Sequence, residues 1–178
     1  VAPHDERLNK GDIVLKHLDP LLNADVLYAL RAMGHGDEVV ICDANFPGDS
    51  VARATVLGKL LRMDGADAAS AVRAVLSVLP LDTFVEAPAM RMEVVGDPHA
   101  IPIVQREAQA EVDRAEGRAV PFAPIERHAF YARARKAYCV IATGETRGYG
   151  CFVFTKGVIL APDAALTADD GRRTERGK

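Results

Sequence analysis

The chain has little cysteine and no long apolar run, and both shortages exclude whole classes of protein. Its three cysteines, Cys42, Cys139 and Cys151, are odd in number, scattered and without CxxC spacing. That favours reduced thiols in a cytosol over a disulfide framework or a zinc site. No uninterrupted apolar stretch reaches the roughly 18 residues that mark a transmembrane helix. The first residues, VAPHDERLNKGD, lack the apolar centre of a signal peptide. An excess of positive charge is missing too: 22 basic residues stand against 25 acidic ones, a formal net charge of -3. Composition therefore offers no electrostatic footprint for nucleic acid. Neither GxGxxG nor GxxxxGK[ST] occurs, so no standard phosphate-binding loop is present. GxSxG is also absent, which argues against the commonest serine hydrolase layout.

What is present is an ordinary globular balance, 49% hydrophobic and 26% charged, over 178 residues. That length fits one domain with a sizeable core. Residues 1–12 read as a loose polar extension, and 167–178, TADDGRRTERGK, as a disordered charged tail. Between them, 13–166, helix and strand signals alternate. Asn23 caps a helix with apolar positions Val26, Leu27, Leu30 and Met33, and Gly34 ends it. VVIC (39–42) is short, β-branched and wholly apolar, as a central strand should be. LLRM (60–63) reads as a second strand, and Asp67 as the cap of a helix bearing Ala68, Val72, Val75, Leu76 and Leu79. Met90, Met92 and Val94 alternate with Arg91 and Glu93, the pattern of a strand with one wetter face. Pro102 opens a helix over 103–116 that ends near Gly117; its mostly charged face predicts a surface position. A short helix over 127–136 and strands over 138–142 and 151–155 complete the set. The alternation predicts a single α/β domain, a three-layer α/β/α sandwich with a mixed central sheet.

One segment carries an unusual density of polar chemistry. AMGHGDEVVICDANFPGDS (32–50) places His35, Asp37, Glu38, Asp43 and Asn45 around one short strand. His35, just past a helix end, fits either a favourable charge at the helix terminus or a proton-transfer group. Asp37 and Glu38 read as solvated loop acids. Asp43 ends an apolar run, where a carboxylate must be paired, and it sits where open α/β sheets gather ligands; a structural cap and a ligand group fit it equally. Asp82, in VLPLDTF, reads by itself as a turn acid. Arg127 opens a helix beside Phe130 and Tyr131, as a surface charge or as a fixed donor to oxygens. Tyr149 lies between glycines that let backbone approach a ligand closely. The spacing of His35, Asp37 and Asp43 matches no strong metal motif.

Together these pieces resemble a known family. GHGDEVVICDANFP, then LPLDTFVEAP, then ERHAFYARARKAYCVIATGE, then YG before an apolar strand and TKG, are similar to the L-fucose mutarotase branch of the D-ribose pyranase/L-fucose mutarotase family, from about Leu15 to Val158. The resemblance implies a cofactor-free enzyme exchanging the α and β anomers of a free monosaccharide. It implies a ring-shaped homo-oligomer, a decamer, with sugar sites where neighbouring subunits meet. Residue by residue, it implies that His35 is the catalytic histidine and that Asp43 and Arg127 bind sugar. It aligns Asp82 with an aspartate tied to activity in the animal relatives. Tyr149 and Gly150 fall on the first two positions of a sugar-contacting Tyr-Gly-Asn segment. Cys151 replaces the asparagine, and a thiol offers only weak versions of what an amide provides. Three other readings stay open on sequence: ribose ring-size exchange, a sugar-binding ring without catalysis, and a metal hydrolase.

Overall fold

A computed structural model describes residues 15–160. The polar ends expected at 1–12 and 167–178 lie outside the described residues. In chain order the elements are α1 (Ala24–Ala32), β1 (Glu38–Cys42), α2 (Gly48–Ala52), β2 (Leu60–Met63), α3 (Ala68–Leu76), β3 (Ala89–Met92), α4 (Ile103–Glu116), β4 (Ala123–Ile125), α5 (Arg127–Ala134), β5 (Cys139–Thr143) and β6 (Phe152–Thr155).

The caps are those that the sequence announces. The Asn23 side chain accepts from the Val26 N–H at 3.1 Å and donates to the Arg62 carbonyl at 2.9 Å, so one residue starts α1 and ties it to β2. Asp67 accepts from the Ser70 N–H at 2.7 Å and starts α3. Each such cap is worth about 0.5–2 kcal/mol.

The six strands form one mixed sheet in the order β2-β5-β1-β6-β3-β4. β1 pairs parallel with β5, and β5 parallel with β2. β6 runs antiparallel to both β1 and β3, so β3, and with it β4, points the same way as β1. Five strands thus share a direction and only β6 opposes them.

Alternation sorts side chains onto the two faces. Val39 and Ile41 of β1 join one core with Phe152, Phe154 and the apolar faces of α1, α3 and α4. Val40 and Cys42 join the other, with Val153, Phe130 of α5 and Val51 of α2. These are the three layers expected. Both faces are covered, which is why the central strands are apolar throughout.

Two expectations need correction. β3 has no wet face: Arg91 is buried, with its guanidinium donating to the Pro98 carbonyl at 3.1 Å and to Gln105 Oε1 at 3.1 Å. α4 is no mere surface helix either. It buries Val104, Gln105, Ala108 and Val112 on the core, and a narrow small-residue stripe suffices because α3 packs closely on it. The short elements α2 and β4 are additions; five and three residues give too little periodicity to read.

Candidate active site

Directions within the sheet decide what can meet. The forward ends of β1, β3, β4 and β5 lie together with the start of β6. The segments that follow or precede them carry Asp43, Arg127 and Tyr149-Gly150-Cys151. His35 precedes β1, and Asp82 is bound to the tail of β6, so both lie at the opposite end. The strand between them advances about 3.3 Å per residue, which puts roughly 13 Å of β1 between the two ends.

At the first of these ends, Asp43 is buried. Its Oδ1 accepts from the Asn45 N–H at 3.0 Å, and its Oδ2 accepts from the Gly150 N–H at 3.1 Å and from Cys151 Sγ at 3.4 Å. Burial, with the Asp43 charge adding to it, pushes the Cys151 thiol well above its ordinary pKa, so sulfur remains protonated and donates. A side chain at Gly150 would crowd its neighbours: a Cβ there would stand 3.1 Å from Glu145 Cγ and 3.4 Å from Asp43 Cβ. Tyr149 holds a positive φ of 67°, a left-handed conformation uncommon outside glycine. Its hydroxyl accepts from the Val95 N–H at 3.2 Å.

Arg127 is placed by the residue before it. Glu126 caps α5, accepting from the N–H groups of His128 at 2.7 Å and Ala129 at 3.0 Å, and these bonds hold its carboxyl below the ordinary range. Phe46, in the loop after Asp43, packs edge-on against Phe130 at 5.9 Å and Tyr131 at 5.3 Å, joining α5 to that loop. Arg127 Nε is buried and has no hydrogen-bond partner among the described residues. An orphaned guanidinium donor is costly, and an incoming oxygen would satisfy it.

At the second end stands a histidine–carboxylate pair. His35 Nε2 lies 3.0 Å from Asp82 Oδ2, with the imidazole side chain 46% exposed and the aspartate 3%. Gly36, at φ 84°, turns the chain so that its N–H bonds the Lys156 carbonyl at 2.9 Å. Asp82 is fixed by its own N–H to the Thr155 carbonyl at 3.0 Å and by the Phe84 N–H to its Oδ1 at 2.9 Å. The Phe84 N–H and the His35 ring hold its carboxyl below the usual value despite burial. An ionised Asp82 makes Nε2 the protonated nitrogen and leaves Nδ1 free as an acceptor. Phe84 stands edge-on to the imidazole at 5.5 Å.

The structure therefore gathers Asp43, Arg127, Tyr149, Gly150 and Cys151 at one end and His35 with Asp82 at the other. Within one chain Asp43 lies at the far end of β1 from His35, whose ring nitrogen is held by Asp82. Glu38 is no solvated loop acid: it opens β1 and pairs with Arg133. Glu145 escaped sequence reading. It is buried beside Gly150, forks onto Arg147 at 2.9 and 2.7 Å, and is pushed down to about 2. Its carbonyl accepts from the Ala44 N–H at 2.8 Å, next to Asp43. Among the described residues no group of three or more His, Cys, Asp or Glu is arranged to hold a metal ion, and no helix is long and apolar enough to cross a membrane.

Known proteins share this sequence and layout. Human fucose mutarotase (Homo sapiens) is 43% identical over 150 residues, covering 83% of this chain and 96% of that one. The crystal structure of protein Atu2016 is 61% identical with a TM-score of 0.80, covering 82% of this chain and 97% of that one. The fucose mutarotase of Streptococcus pneumoniae, solved in complex with L-fucose, is 34% identical with a TM-score of 0.74, covering 82% and 100%. Residues 16–159 match the model of the RbsD / FucU transport protein family, and the chain belongs to that family.

Proposed function

We propose that the protein is an L-fucose mutarotase, an isomerase that exchanges the α and β anomers of the free sugar by opening and reclosing its ring. The observation that carries the chemistry is the His35–Asp82 pair: a half-exposed imidazole whose Nε2 is held by a buried carboxylate and whose Nδ1 has no hydrogen-bond partner among the described residues. The similarity to fucose mutarotases over most of the chain supports the substrate.

Exchange requires loss of the anomeric hydroxyl proton, gain of a proton at the ring oxygen, and cleavage of the bond between the anomeric carbon and that oxygen. The open aldehyde rotates and closes on its other face, and both protons return. His35 moves the proton through Nδ1. Imidazole suits a reversible reaction because both of its protonation states are accessible near neutral pH. Asp82, with both oxygens engaged, acts on the ring rather than on the sugar: it fixes the tautomer and stabilises the imidazolium when it forms. Arg127 donates to sugar oxygens through its fork, with the orphaned Nε part of that supply. Asp43 accepts from hydroxyls with the lone pairs that Asn45, Gly150 and Cys151 leave, and Tyr149 contributes its ring face.

A hexose is far shorter than the strand separating the two ends. The family resemblance implies a ring-shaped homodecamer with sugar sites between neighbours, and in such a ring the His35 end of one subunit and the Asp43 end of the next complete the site. A cytoplasmic location accompanies this reading, in keeping with three free, buried thiols. The chemistry asks for about 10²–10⁴-fold from one acid–base group, equivalent to roughly 3–5 kcal/mol of barrier. Saturation-transfer NMR between the two anomer signals of L-fucose tests the assignment. Added protein should speed the transfer, and an exchange rate equal to that of buffer would refute it.

A further inference from the structure

The Tyr149-Gly150-Cys151 segment adopts a backbone that its own sequence does not favour, and something outside it must hold it there. A non-glycine residue at φ 67° lies in a sparsely populated region that persists only when surrounding structure over-determines it. Gln105, on the first turn of α4, is placed to do this. It is fully buried and its amide is saturated. Nε2 donates to the Tyr149 carbonyl at 3.0 Å and to the Met92 carbonyl at 2.8 Å, while Oε1 accepts from Arg91 Nη1 at 3.1 Å. Two carbonyls on one side and a guanidinium on the other leave a single sensible orientation for the amide.

The clamp is cross-braced. Arg91 also reaches the Pro98 carbonyl at 3.1 Å and the Ala100 carbonyl at 3.5 Å, anchoring the loop between β3 and α4. That same loop presents the Val95 N–H to the Tyr149 hydroxyl. Tyr149 is thus gripped at its carbonyl by Gln105 and at its ring by a loop that Arg91 fixes. The next residue delivers the Gly150 N–H to Asp43. A turn at Tyr149 would swing that N–H away and release the Asp43 carboxylate.

We infer that Gln105, backed by Arg91, is a positioning residue of the sugar-contacting segment: its amide keeps Tyr149 left-handed and so fixes the Gly150–Asp43 bond that presents the carboxylate to substrate. This inference rests on the mutarotase reading for its functional consequence, though not for its structural one.

Gln105→Glu separates the two things Gln105 does. The carboxylate keeps an acceptor for Arg91 but loses both donors, so a role limited to pairing Arg91 would survive while the grip on Tyr149 would not. The expected result is a folded protein whose KM for L-fucose exchange rises about tenfold, the value of one buried hydrogen bond. Turnover at saturation should stay within about threefold, because His35 is untouched. Gln105→Met should show the same KM rise with a lower Tm, since Arg91 then loses its acceptor as well. An unchanged KM in either folded variant would overturn the inference, provided the parent protein exchanges fucose anomers. Should the parent fail to do so, the mutarotase reading falls and a crystal structure of Gln105→Glu decides the matter alone. Tyr149 relaxed to negative φ, with Gly150 detached from Asp43, would support the inference; Tyr149 still left-handed would overturn it.

Discussion

The two ends of the sheet solve different problems with the same type of side chain. At the His35 end, a buried Asp82 holds one half-exposed imidazole. At the other end, Asp43 is buried so that a segment of backbone can close around it, through Gly150 and Cys151. One carboxylate holds an imidazole, and the other gathers a backbone segment. The first arrangement needs few contacts because an imidazole has only two nitrogens to define. The second recruits α4, the loop after β3, and the Glu145–Arg147 pair, which brace the backbone around Asp43. On the proposed mutarotase reading, proton transfer and sugar recognition are thereby separated along a single strand.

That separation can be broken by mutation. The largest effect is expected from His35→Ala, which should fold and assemble yet lose about 10²–10⁴-fold in anomer exchange, with L-fucose still bound in a titration. Asp43→Ala should instead weaken binding. It strips the Asn45 and Gly150 N–H groups of their acceptor, and a loss of about 1–3 kcal/mol in stability is expected from buried donors left unpaired, read by chemical denaturation. Co-assembling those two impaired variants, at L-fucose concentrations too low to saturate Asp43→Ala, sharpens the comparison. If sites are shared between neighbours, random mixing gives about one quarter of them both intact ends, and exchange returns. If each chain carried its own site, the mixture would remain impaired.

Acid should act next. The folded Glu145 carboxyl is pushed down to about 2, chiefly by its bonds to Arg147, from an ordinary 4.5. Its stabilisation is present above the unfolded value and is lost as pH falls from there toward about 2. Because Arg147 is partly exposed and therefore screened, about 1–3 kcal/mol is expected. Denaturation midpoints measured between neutral and acid pH should fall less steeply in Glu145→Gln than in the parent. The smallest effect belongs to Cys151→Ser. A hydroxyl can replace the thiol as donor to Asp43, so KM for L-fucose should move by less than about threefold, measured by the same exchange experiment.

Much of this arrangement was legible in the sequence, for identifiable reasons. Caps such as Asn23 and Asp67, and the apolar runs of β1 and β5, are local signals that burial only reinforced. Arg91 misled because a charge in an alternating strand ordinarily marks solvent; here carbonyls of the following loop and an amide of α4 fold back to satisfy it. Gln105 and Glu145 were invisible because the contacts that fix them in place are long-range: Gln105 donates to the Tyr149 carbonyl 44 residues away, and the Glu145 carboxylate accepts from the Ala68 N–H 77 residues away. The resemblance named the residues of the site but not their distribution. That each end holds only part of the set follows from β6 running against its neighbours, and strand order has no signature in a single chain.

β6 deserves a last consequence. Its head continues from Tyr149-Gly150-Cys151, and the Thr155 carbonyl at its tail anchors Asp82. Four residues thus serve as a ruler between the Asp43 end of a protomer and its His35 end. Sliding that ruler by one notch would carry Gly150 away from Asp43 and the Thr155 carbonyl away from Asp82 together. On the proposed mutarotase reading, selection on catalysis would also police the register of β6, a strand none of whose own side chains need ever touch the sugar.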